Sequence, residues 1–419
     1  MKVIKVGILG LGTVGGGSAN ILRKSADEIS RRCSCFIQVV TASVRNINAD
    51  RLCDCSHIKL TDDPFEIVNN PELDIVIETI GGETIAKELI LKAISNGKHV
   101  VTANKALIAL HGTEIFKAAE KNNVSVLYEA AVAGGISIVK DIREGLAGNN
   151  IEMLAGIING TGNFILTEMR DKGRTFDDVL TEAQELGYAE ADPTFDVEGV
   201  DAAHKLTILA SIAFGIPLNF DKVYCEGITK VSLTDVAKHH ADGIELRVHP
   251  TLIPEKQLIA NVDGVMNAVM VQGDAVGNTL HYGPGAGSLP TASAIVADVI
   301  DLARAINADI NYAVPALGFD VIDSQKIKKS EEFECAHYLR IDVLDNAGVM
   351  SKLSTVFAEL DVSIEAIIQK EPKKNAEYVS VIFITQETLE ARINLAIDII
   401  QDMDYVCGEI VRIRLEHLD

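Results

Sequence analysis

The sequence predicts an α/β protein with three units: a doubly wound parallel sheet, then an α+β domain, then a βαββαβ unit. Three observations lead to this prediction. Short β-branched segments alternate with longer amphipathic ones up to residue 130, glycine-rich turns separate the segments of 131–320, and the alternation restarts at residue 336. Regular alternation of strands and helices is typical of a parallel sheet with helices on both faces.

The first unit, residues 1–130, opens with an apolar strand, as expected for a strand that is buried on both faces. Its predicted strands lie at 3–9, 36–44, 73–80, 99–102 and 124–129, and its predicted helices at 13–31, 84–96 and 114–122. The second unit, residues 131–320, is the predicted substrate and dimerisation domain. Its predicted strands lie at 154–159 and 265–272, and its predicted helices at 177–186, 200–213 and 290–306. The helix at 290–306 is apolar on two sides, so we expect it to pack back on the first unit.

The stretch 321–335 is charged and poor in large apolar residues, which predicts a linker. The last unit, residues 336–419, then shows the order strand, helix, strand, strand, helix, strand of a ferredoxin-like fold. Its predicted strands lie at 338–343, 363–369, 378–385 and 407–414, and its predicted helices at 349–360 and 389–401.

The composition excludes several classes of function. The chain carries 38 Lys and Arg against 60 Asp and Glu, a formal net charge of −22, so we expect neither nucleic acid nor a membrane as a partner. The N-terminus shows no secretory signal and the seven cysteines are few and odd in number, which indicates a reducing, cytoplasmic location. The pairs Cys33/Cys35 and Cys53/Cys55 are spaced more tightly than usual zinc ligands, so we interpret them as structural thiols.

A glycine-rich turn, GLGTVG at 10–15, follows the first strand and opens the first helix. Glycines there permit a tight turn and let the backbone approach a pyrophosphate, which the helix N-terminus attracts. In this context the motif predicts a Rossmann-type dinucleotide site whose cofactor contacts include Gly10, Gly12, Thr13, Val14 and Gly15.

The second strand ends in SVRN, without the acidic residue that commonly binds an unmodified ribose. Arg45 at that place can pair with a 2′-phosphate, which favours NADP over NAD as the cofactor. The alternative is that Arg45 is an ordinary exposed loop residue.

Two lysines are candidates for chemistry. Lys105 follows the strand at 99–102, and ligands of doubly wound sheets bind beyond the carboxyl ends of the strands. Lys205 lies four residues after Asp201 in an apolar helix, so their side chains share a face. A lysine beside a buried substrate can donate a proton to a developing alkoxide. The alternative for Lys105 is a helix-capping turn with a surface lysine, and the alternative for Lys205 is a solvent-facing ion pair with Asp201, which contributes little.

Seven motifs in order along the chain resemble those of homoserine dehydrogenase: GLGTVGG, TANKAL, YEAAVAGGI, IINGTGNFILT, GYAEADPTFDVEGVDAAHKL, RVHPTLIP and YGPGAGSLPTASA. The C-terminal unit, with DNAGVMSKLSTVFAEL, resembles an ACT domain, a module that binds small regulatory molecules. The resemblance implies the reversible, NAD(P)H-dependent reduction of L-aspartate 4-semialdehyde to L-homoserine, a step in the biosynthesis of threonine, methionine and isoleucine.

The resemblance also implies roles for individual residues. It assigns acid/base work to Lys205, assisted by Lys105. An acidic pocket for the substrate amino group is implied at Glu190, Asp196 and Asp201. Loops that line the substrate and cofactor cleft are implied at Thr161, Gly162 and Gly285.

Another matching loop binds a monovalent cation such as Na⁺ in the family. The ligands implied here are the carboxylate of Glu129 and the main-chain carbonyls of Val132, Gly134 and Ile136. Oxygen ligands of this kind suit an alkali cation.

In the C-terminal unit the resemblance implies effector contacts at Asp345, Asn346, Gly348 and Val349, with threonine as the expected effector. Because such units pair to form effector sites, we also expect a homo-oligomer of at least two chains. The alternative is that the unit only assembles the oligomer.

The stretch 238–243 is shorter than in the family, where the end of a helix and an apolar strand precede the residue matching Gly243. Loss of an apolar strand would leave neighbouring backbone groups unpaired, so we favour an omitted segment over a real deletion.

Two other functions fit part of these observations. One is a sensor without enzymatic activity that binds a dinucleotide and an amino acid, but a sensor has no need for the intact set Lys105, Glu190, Asp201 and Lys205. The other is a different amino-acid-linked dehydrogenase on the same scaffold, which a comparison of homoserine with aspartate as substrate would separate.

Overall fold

A computed structural model describes residues 1–229, 233–240, 243–369 and 378–418. The first unit contains β1 (Val3–Leu9), α1 (Thr13–Lys24), α2 (Ala26–Cys33), β2 (Phe36–Ser43), β3 (Lys59–Thr61), α3 (Pro64–Asn69), β4 (Ile75–Glu78), α4 (Thr84–Ser95), β5 (His99–Thr102), α5 (Lys105–Lys121) and β6 (Val126–Leu127). These strands form one parallel sheet in the order β3-β2-β1-β4-β5-β6. This is the order of the dinucleotide-binding fold, so the predicted Rossmann-type sheet is confirmed.

The element bounds of this unit differ from the prediction in two ways that matter. The helix predicted at 13–31 is two helices that meet at Ser25. Helix α5 begins at Lys105 and not at 114, because the Asn104 side chain caps its first turn by accepting the Leu107 N–H at 3.1 Å. Gly112 interrupts the helical pattern of the sequence, but it allows close packing, because a Cβ at this position would lie 2.5 Å from Leu218.

The second unit contains α6 (Ile138–Lys140), β7 (Ile151–Ile157), α7 (Gly160–Lys172), α8 (Phe176–Glu185), α9 (Thr194–Val197), α10 (Val200–Phe214), β8 (Tyr224–Cys225), β9 (Leu233–His240), β10 (Gly243–Leu252), β11 (Met266–Gly273), β12 (Gly277–Pro284) and α11 (Ser288–Asn307). Its sheet runs β12-β11-β7-β9-β10, with β8 paired to β10. Strand β9 pairs with both β7 and β10. The described residues 233–240 thus supply a strand between β7 and β10, while residues 241 and 242 lie outside the described residues, so an omitted segment at 238–243 stays a prediction.

The third unit contains β13 (Glu334–Leu344), α12 (Val349–Glu359), β14 (Ile364–Gln369), β15 (Tyr378–Thr385), β16 (Thr388–Leu389), α13 (Glu390–Gln401) and β17 (Val411–Leu415). The order β17-β13-β15-β14 confirms the ferredoxin-like arrangement. Strand β17 also pairs in parallel with β10, so the sheets of the second and third units are continuous. Within the predicted linker 321–335, Lys328 is buried and Ile327 forms a bridge with Ile244. The boundaries at 130, 320 and 335 stay predictions.

Helix α11 joins the core of the first unit, where Ile295, Val299 and Leu302 pack with the apolar residues of β1 and α1. It also lies against the nucleotide turn. Ser288 donates a hydrogen bond to the Thr13 carbonyl at 2.7 Å, and a Cβ at Gly17 would lie 2.7 Å from the Ser288 Oγ. Among the described residues, no helix combines the length and apolarity that crossing a bilayer requires.

Candidate active site

The glycine turn between β1 and α1 has the geometry that a dinucleotide needs. Gly10 has φ +90°, and a Cβ at Gly15 would lie 2.0 Å from the Gly10 carbonyl oxygen, so neither position accepts a side chain. A Cβ at Gly12 would meet nothing within 4 Å. Helix α1 has no side-chain cap and no acidic residue in its first turn, which leaves its N-terminal N–H groups for an anion. The turn fits a nicotinamide dinucleotide.

A cavity of about 450 Å³ extends from this turn along the end of β2. Arg45 and Arg51 both line it, together with Ser43 and Asp62. Arg45 is exposed, and Arg51 donates to the Asn46 carbonyl. The cavity therefore has two guanidinium groups where the ribose of a dinucleotide binds in this fold, and the sequence pattern points only to Arg45.

The two candidate lysines meet at one carboxylate. Lys105 Nζ lies 3.0 Å from Oδ1 of Asp201, and Lys205 Nζ lies 2.7 Å from Oδ2 of the same residue. The Asp201 side chain is 7% exposed and that of Lys205 11%, whereas Lys105 is 33% exposed. The surface alternative is thus wrong for the Asp201–Lys205 pair. Lys105 and Asp201, which are 96 positions apart in sequence, thus form one network with Lys205, and Lys105 is the most exposed of the three.

Local structure explains how Asp201 is placed. Gly199, with φ +80°, ends the loop before α10, and a Cβ there would lie 2.9 Å from the Cys225 sulfur. Asp201 then lies in the first turn of α10, where its negative charge interacts favourably with the helix dipole. Burial alone would raise the pKa of Asp201, but Lys205 and Lys105 outweigh burial and hold that pKa below its ordinary value. Asp201 is therefore an anion at neutral pH.

Lys205 is anchored so that, among the described residues, one of its three ammonium hydrogens has no acceptor. Its ammonium donates to Asp201 at 2.7 Å and to the backbone carbonyl of Ile158 at 2.5 Å. An ammonium has three donors, so one remains for a ligand. Lys105 lies 5.9 Å from the centre of the Phe195 ring, which forms part of the same cleft.

A residue that the sequence analysis did not single out joins the two carboxylates. The Asn159 amide donates to Asp196 at 2.8 Å and to Asp201 at 2.9 Å. Burial raises the pKa of Asp196, and the neighbouring charge of Asp201 adds to this effect. The contact between Asn159 and Asp201 spans 42 positions of sequence, so no local pattern signals it; the sequence indicates Asn159 only as a capping residue before α7.

Comparison with known proteins gives the family. The sequence model described as homoserine dehydrogenase matches residues 138–300, that of its NAD-binding domain matches 10–129, and that of the ACT domain matches 337–397. A homoserine dehydrogenase of Pseudomonas aeruginosa is 56% identical over 436 aligned positions that cover 100% of each chain. The chain belongs to the homoserine dehydrogenase family.

Solved structures of homoserine dehydrogenases agree with this assignment. The crystal structure of the one from Thiobacillus denitrificans is 54% identical, with a TM-score of 0.95 over 100% of this chain and 99% of that chain. A hyperthermophilic archaeal homoserine dehydrogenase in complex with NADPH is 26% identical, with a TM-score of 0.61 over 77% of this chain and 100% of that chain. The chain is therefore an oxidoreductase with a nicotinamide-binding domain and an ACT domain. The alignment with the Pseudomonas enzyme is longer than the 419 residues of this chain. The Pseudomonas enzyme therefore has residues without a counterpart here.

The remaining substrate residues named from the homoserine dehydrogenase resemblance are placed differently. Thr161 donates to the Tyr188 carbonyl at 2.7 Å, and the Gly162 N–H donates to Asn159 at 2.7 Å, so both stabilise the start of α7. Glu190 is exposed, and its backbone carbonyl accepts a hydrogen bond from Gln184. Among the described residues, the structure does not bring the Glu190 carboxylate into the Asp201 network.

The loop expected to bind a cation packs on the loop before α11. Gly134 has φ +47°, and a Cβ there would lie 2.4 Å from the Gly285 carbonyl. Gly285 is itself pressed against Asn267, whose amide would lie 1.9 Å from a Cβ. The Glu129 carboxylate accepts the backbone N–H groups of Val139 at 3.0 Å and Lys140 at 2.8 Å, so its first task is to cap α6.

The other residues named from the sequence have simpler surroundings. In the ACT domain, Asp345, Asn346 and Gly348 are exposed in the turn before α12, Gly348 has φ +91°, and Val349 is buried. The Cys33 and Cys35 sulfurs lie 3.2 Å apart and those of Cys53 and Cys55 lie 3.5 Å apart. Neither cysteine pair gathers a third metal-ligand side chain within the described part of the chain.

Proposed function

We propose that this chain reduces L-aspartate 4-semialdehyde to L-homoserine with NADPH in preference to NADH, and that Lys205 transfers the proton. The observation that carries the proposal is the meeting of Lys105 and Lys205 on the two oxygens of Asp201. A bound nicotinamide cofactor supplies a hydride to the aldehyde carbon. The protein must then stabilise and protonate the oxygen.

Lys205 suits that task because Asp201 and the Ile158 carbonyl hold its nitrogen while one N–H remains. That N–H donates to the aldehyde oxygen and gives up its proton as negative charge develops there. The nearby charge of Lys105 stabilises the same oxygen, and this interaction is stronger in the transition state than in the ground state. In the reverse direction the neutral Lys205 amine accepts the hydroxyl proton of homoserine.

Asp196 is our candidate for the substrate ammonium. Both Asp201 oxygens already face lysines, so Asp201 is best suited to orient them. Asp196 uses one oxygen for Asn159 and is half-buried beside the cleft. Glu190, whose side chain is exposed, remains a candidate second contact by family resemblance.

The preference for NADPH is supported by Arg45 and Arg51 in the cavity at the end of β2. The archaeal relative, whose structure is an NADPH complex, supports it too. Replacing Arg45 removes a charge-assisted contact worth about 1.5–3 kcal/mol. Arg45→Gln should therefore raise the KM for NADPH about 10–100-fold and leave the KM for NADH nearly unchanged, as steady-state rates with each cofactor would show.

A monovalent cation is proposed at the loop of Val132, Gly134 and Ile136, with Glu129 beside it. The support is the tight packing of this loop on Gly285, which fixes the directions of its carbonyls. Removal of Na⁺ and K⁺ by dialysis, followed by assay with each salt, tests this site.

Regulation, assembly and location complete the proposal. The exposed turn Asp345–Gly348 is proposed to bind threonine at an interface between paired ACT domains, which requires at least a dimer. The seven free cysteines support a cytoplasmic location.

Steady-state initial rates test the proposed function directly. We expect turnover with homoserine and none with aspartate, faster with NADP⁺ than with NAD⁺, and lower when threonine is added. Equal rates with the two cofactors would overturn the cofactor preference, and an absence of any threonine effect would leave the ACT domain with assembly alone.

A further inference from the structure

Asn159 ends the segment after β7 and makes three hydrogen bonds with one carboxamide. Its Oδ1 accepts the Gly162 N–H at 2.7 Å, and its Nδ2 donates to Asp196 and Asp201 at 2.8 and 2.9 Å. The orientation of the amide is fixed by chemistry, because a flipped amide would set its oxygen against two carboxylates and its NH₂ against an N–H donor. Asn159 is 7% exposed, so water does not replace these partners.

We propose that Asn159 is a positioning residue of the reaction, which holds Asp201 toward the lysines and Asp196 toward the substrate. The proposal rests on the proposed roles of Lys205 and Asp201. Each amide hydrogen is directed to a different carboxylate, so one rigid group sets the separation of two like charges. The next residue toward the N-terminus, Ile158, accepts from Lys205 through its backbone carbonyl. One short segment therefore fixes both the proton donor and the carboxylates around it.

A purely structural role would need only half of this group. Capping of α7 uses the Oδ1 acceptor alone, and Ser or Asp performs it equally well at an N-cap. Within the described part of the chain, the two N–H donors contact the side chains of Asp196 and Asp201 and no backbone group. Capping and positioning can thus be separated by substitution.

The matched control is Asn163 on the same helix. Its amide also donates twice, to the carbonyls of Val262 at 2.8 Å and Met266 at 3.2 Å, and no carboxylate of the described residues accepts from it. Asn163→Ser removes two amide hydrogen bonds that end on backbone carbonyls, and it leaves the hydrogen bonds of Asp201 in place. Any loss that follows from a looser α7 alone should appear in this variant.

The experiment compares Asn159→Ser, Asn159→Asp and Asn163→Ser for homoserine oxidation across pH 6–10, with melting temperatures on the same preparations. We expect the melting temperature of Asn159→Ser to change no more than that of the control, Asn163→Ser. Its kcat/KM for homoserine should fall at least tenfold, while the KM for the cofactor stays unchanged. Asn159→Asp adds a third carboxylate near Lys205, so its pH–rate profile should move to higher pH.

Two results would overturn the proposal. One is a kcat/KM for Asn159→Ser that equals that of Asn163→Ser; the other is an unshifted pH profile for Asn159→Asp. A parallel Lys205→Ala variant separates this failure from failure of the proposed function, because activity that persists in Lys205→Ala contradicts the role of the lysine, whatever Asn159 does.

Discussion

Two buried ion networks in this chain contain similar charges but have different roles. In the cleft, Asp201 faces Lys105 and Lys205. At the junction of β10 and β17, Glu390 faces Arg414, whose Nε lies 3.1 Å from its carboxylate. Both carboxylates are almost fully buried, and both meet two cations, so burial and charge alone do not tell the two sites apart.

The difference lies in the cations and in what remains free around them. At the junction, Arg414 also donates to Glu226 at 2.7 Å and to the Tyr224 hydroxyl at 3.0 Å, while Arg412 lies 3.0 Å from Glu390. The side chain of Arg414 is 2% exposed, and its guanidinium contacts Glu390, Glu226 and Tyr224. In the cleft, a lysine at the first residue of α5 faces the positive end of the helix dipole, an unfavourable place that Asp201 compensates. A network that keeps a donor and an opening is built for a ligand, and one that closes on itself is built for stability.

The junction also contains the cluster that most resembles a metal site within the described ranges. Cys335, His337 and Glu390 place ligand-type atoms within 4.8 Å of one another. Arg414 and Arg412 already occupy the Glu390 carboxylate, and they would repel a metal cation. The cluster is better described as part of the closed network.

The largest effect that would separate the two networks is expected for Lys205→Ala. Loss of the proton donor should lower kcat by about 10³-fold or more, since general acid–base groups contribute about 10²–10⁴. Cofactor affinity, measured by the quenching or enhancement of NADPH fluorescence, should stay nearly unchanged. A kcat equal to that of the wild type would remove the mechanism.

Lys205→Arg sharpens the same comparison, because it places a guanidinium in the cleft. Charge and ion pairing are kept, but an arginine does not release its proton at any pH of the assay. We expect kcat to fall by at least about 10²-fold, with unfolding in urea closer to wild type than for Lys205→Ala. Recovery of turnover in this variant would show that charge alone suffices.

Arg414→Met tests the closed network. Removal of Arg414 takes one of two cations from the buried Glu390 and leaves Arg412 beside that carboxylate, which should cost up to about 3–5 kcal/mol of unfolding free energy in urea. Arg412→Met is the matched control, since Arg412 is 20% exposed and should cost less. The comparison fails if Arg414→Met reduces the turnover of the folded protein as much as Lys205→Ala does.

The smallest effect concerns acid stability. Because the pKa of Asp201 is lowered in the folded chain, its contribution to stability is complete above the unfolded pKa of about 4 and disappears as the pH falls through the folded value. As the pH falls below about 4, the unfolding free energy of the wild type should therefore decrease relative to that of Asp201→Asn by at least about 1 kcal/mol. Parallel curves for the two proteins over that range would show that the lysines do not hold the carboxylate ionised.

Sequence patterns predicted the features of this molecule that depend on residues close together in sequence. The glycine turn, the alternation of strands and helices, and the shared face of Asp201 and Lys205 all follow from short spacings, and the structure has them. The start of α5 at Lys105 was missed because Gly112 and an all-round apolar segment masked its period.

Contacts between residues far apart in sequence could not be predicted from sequence patterns. Nothing near Asn159 in sequence indicates that it meets Asp196 and Asp201, and nothing in the C-terminal unit indicates that β17 extends the sheet of the second unit. Such pairings depend on how whole layers pack, and a one-dimensional pattern does not contain that information.

The most direct test is a crystal structure of the chain with NADP⁺ and homoserine bound together. The account predicts that the homoserine hydroxyl oxygen lies within about 3.2 Å of the Lys205 Nζ, on the side away from the Ile158 carbonyl. A hydroxyl bound beyond hydrogen-bond reach of both Lys205 and Lys105 would contradict it.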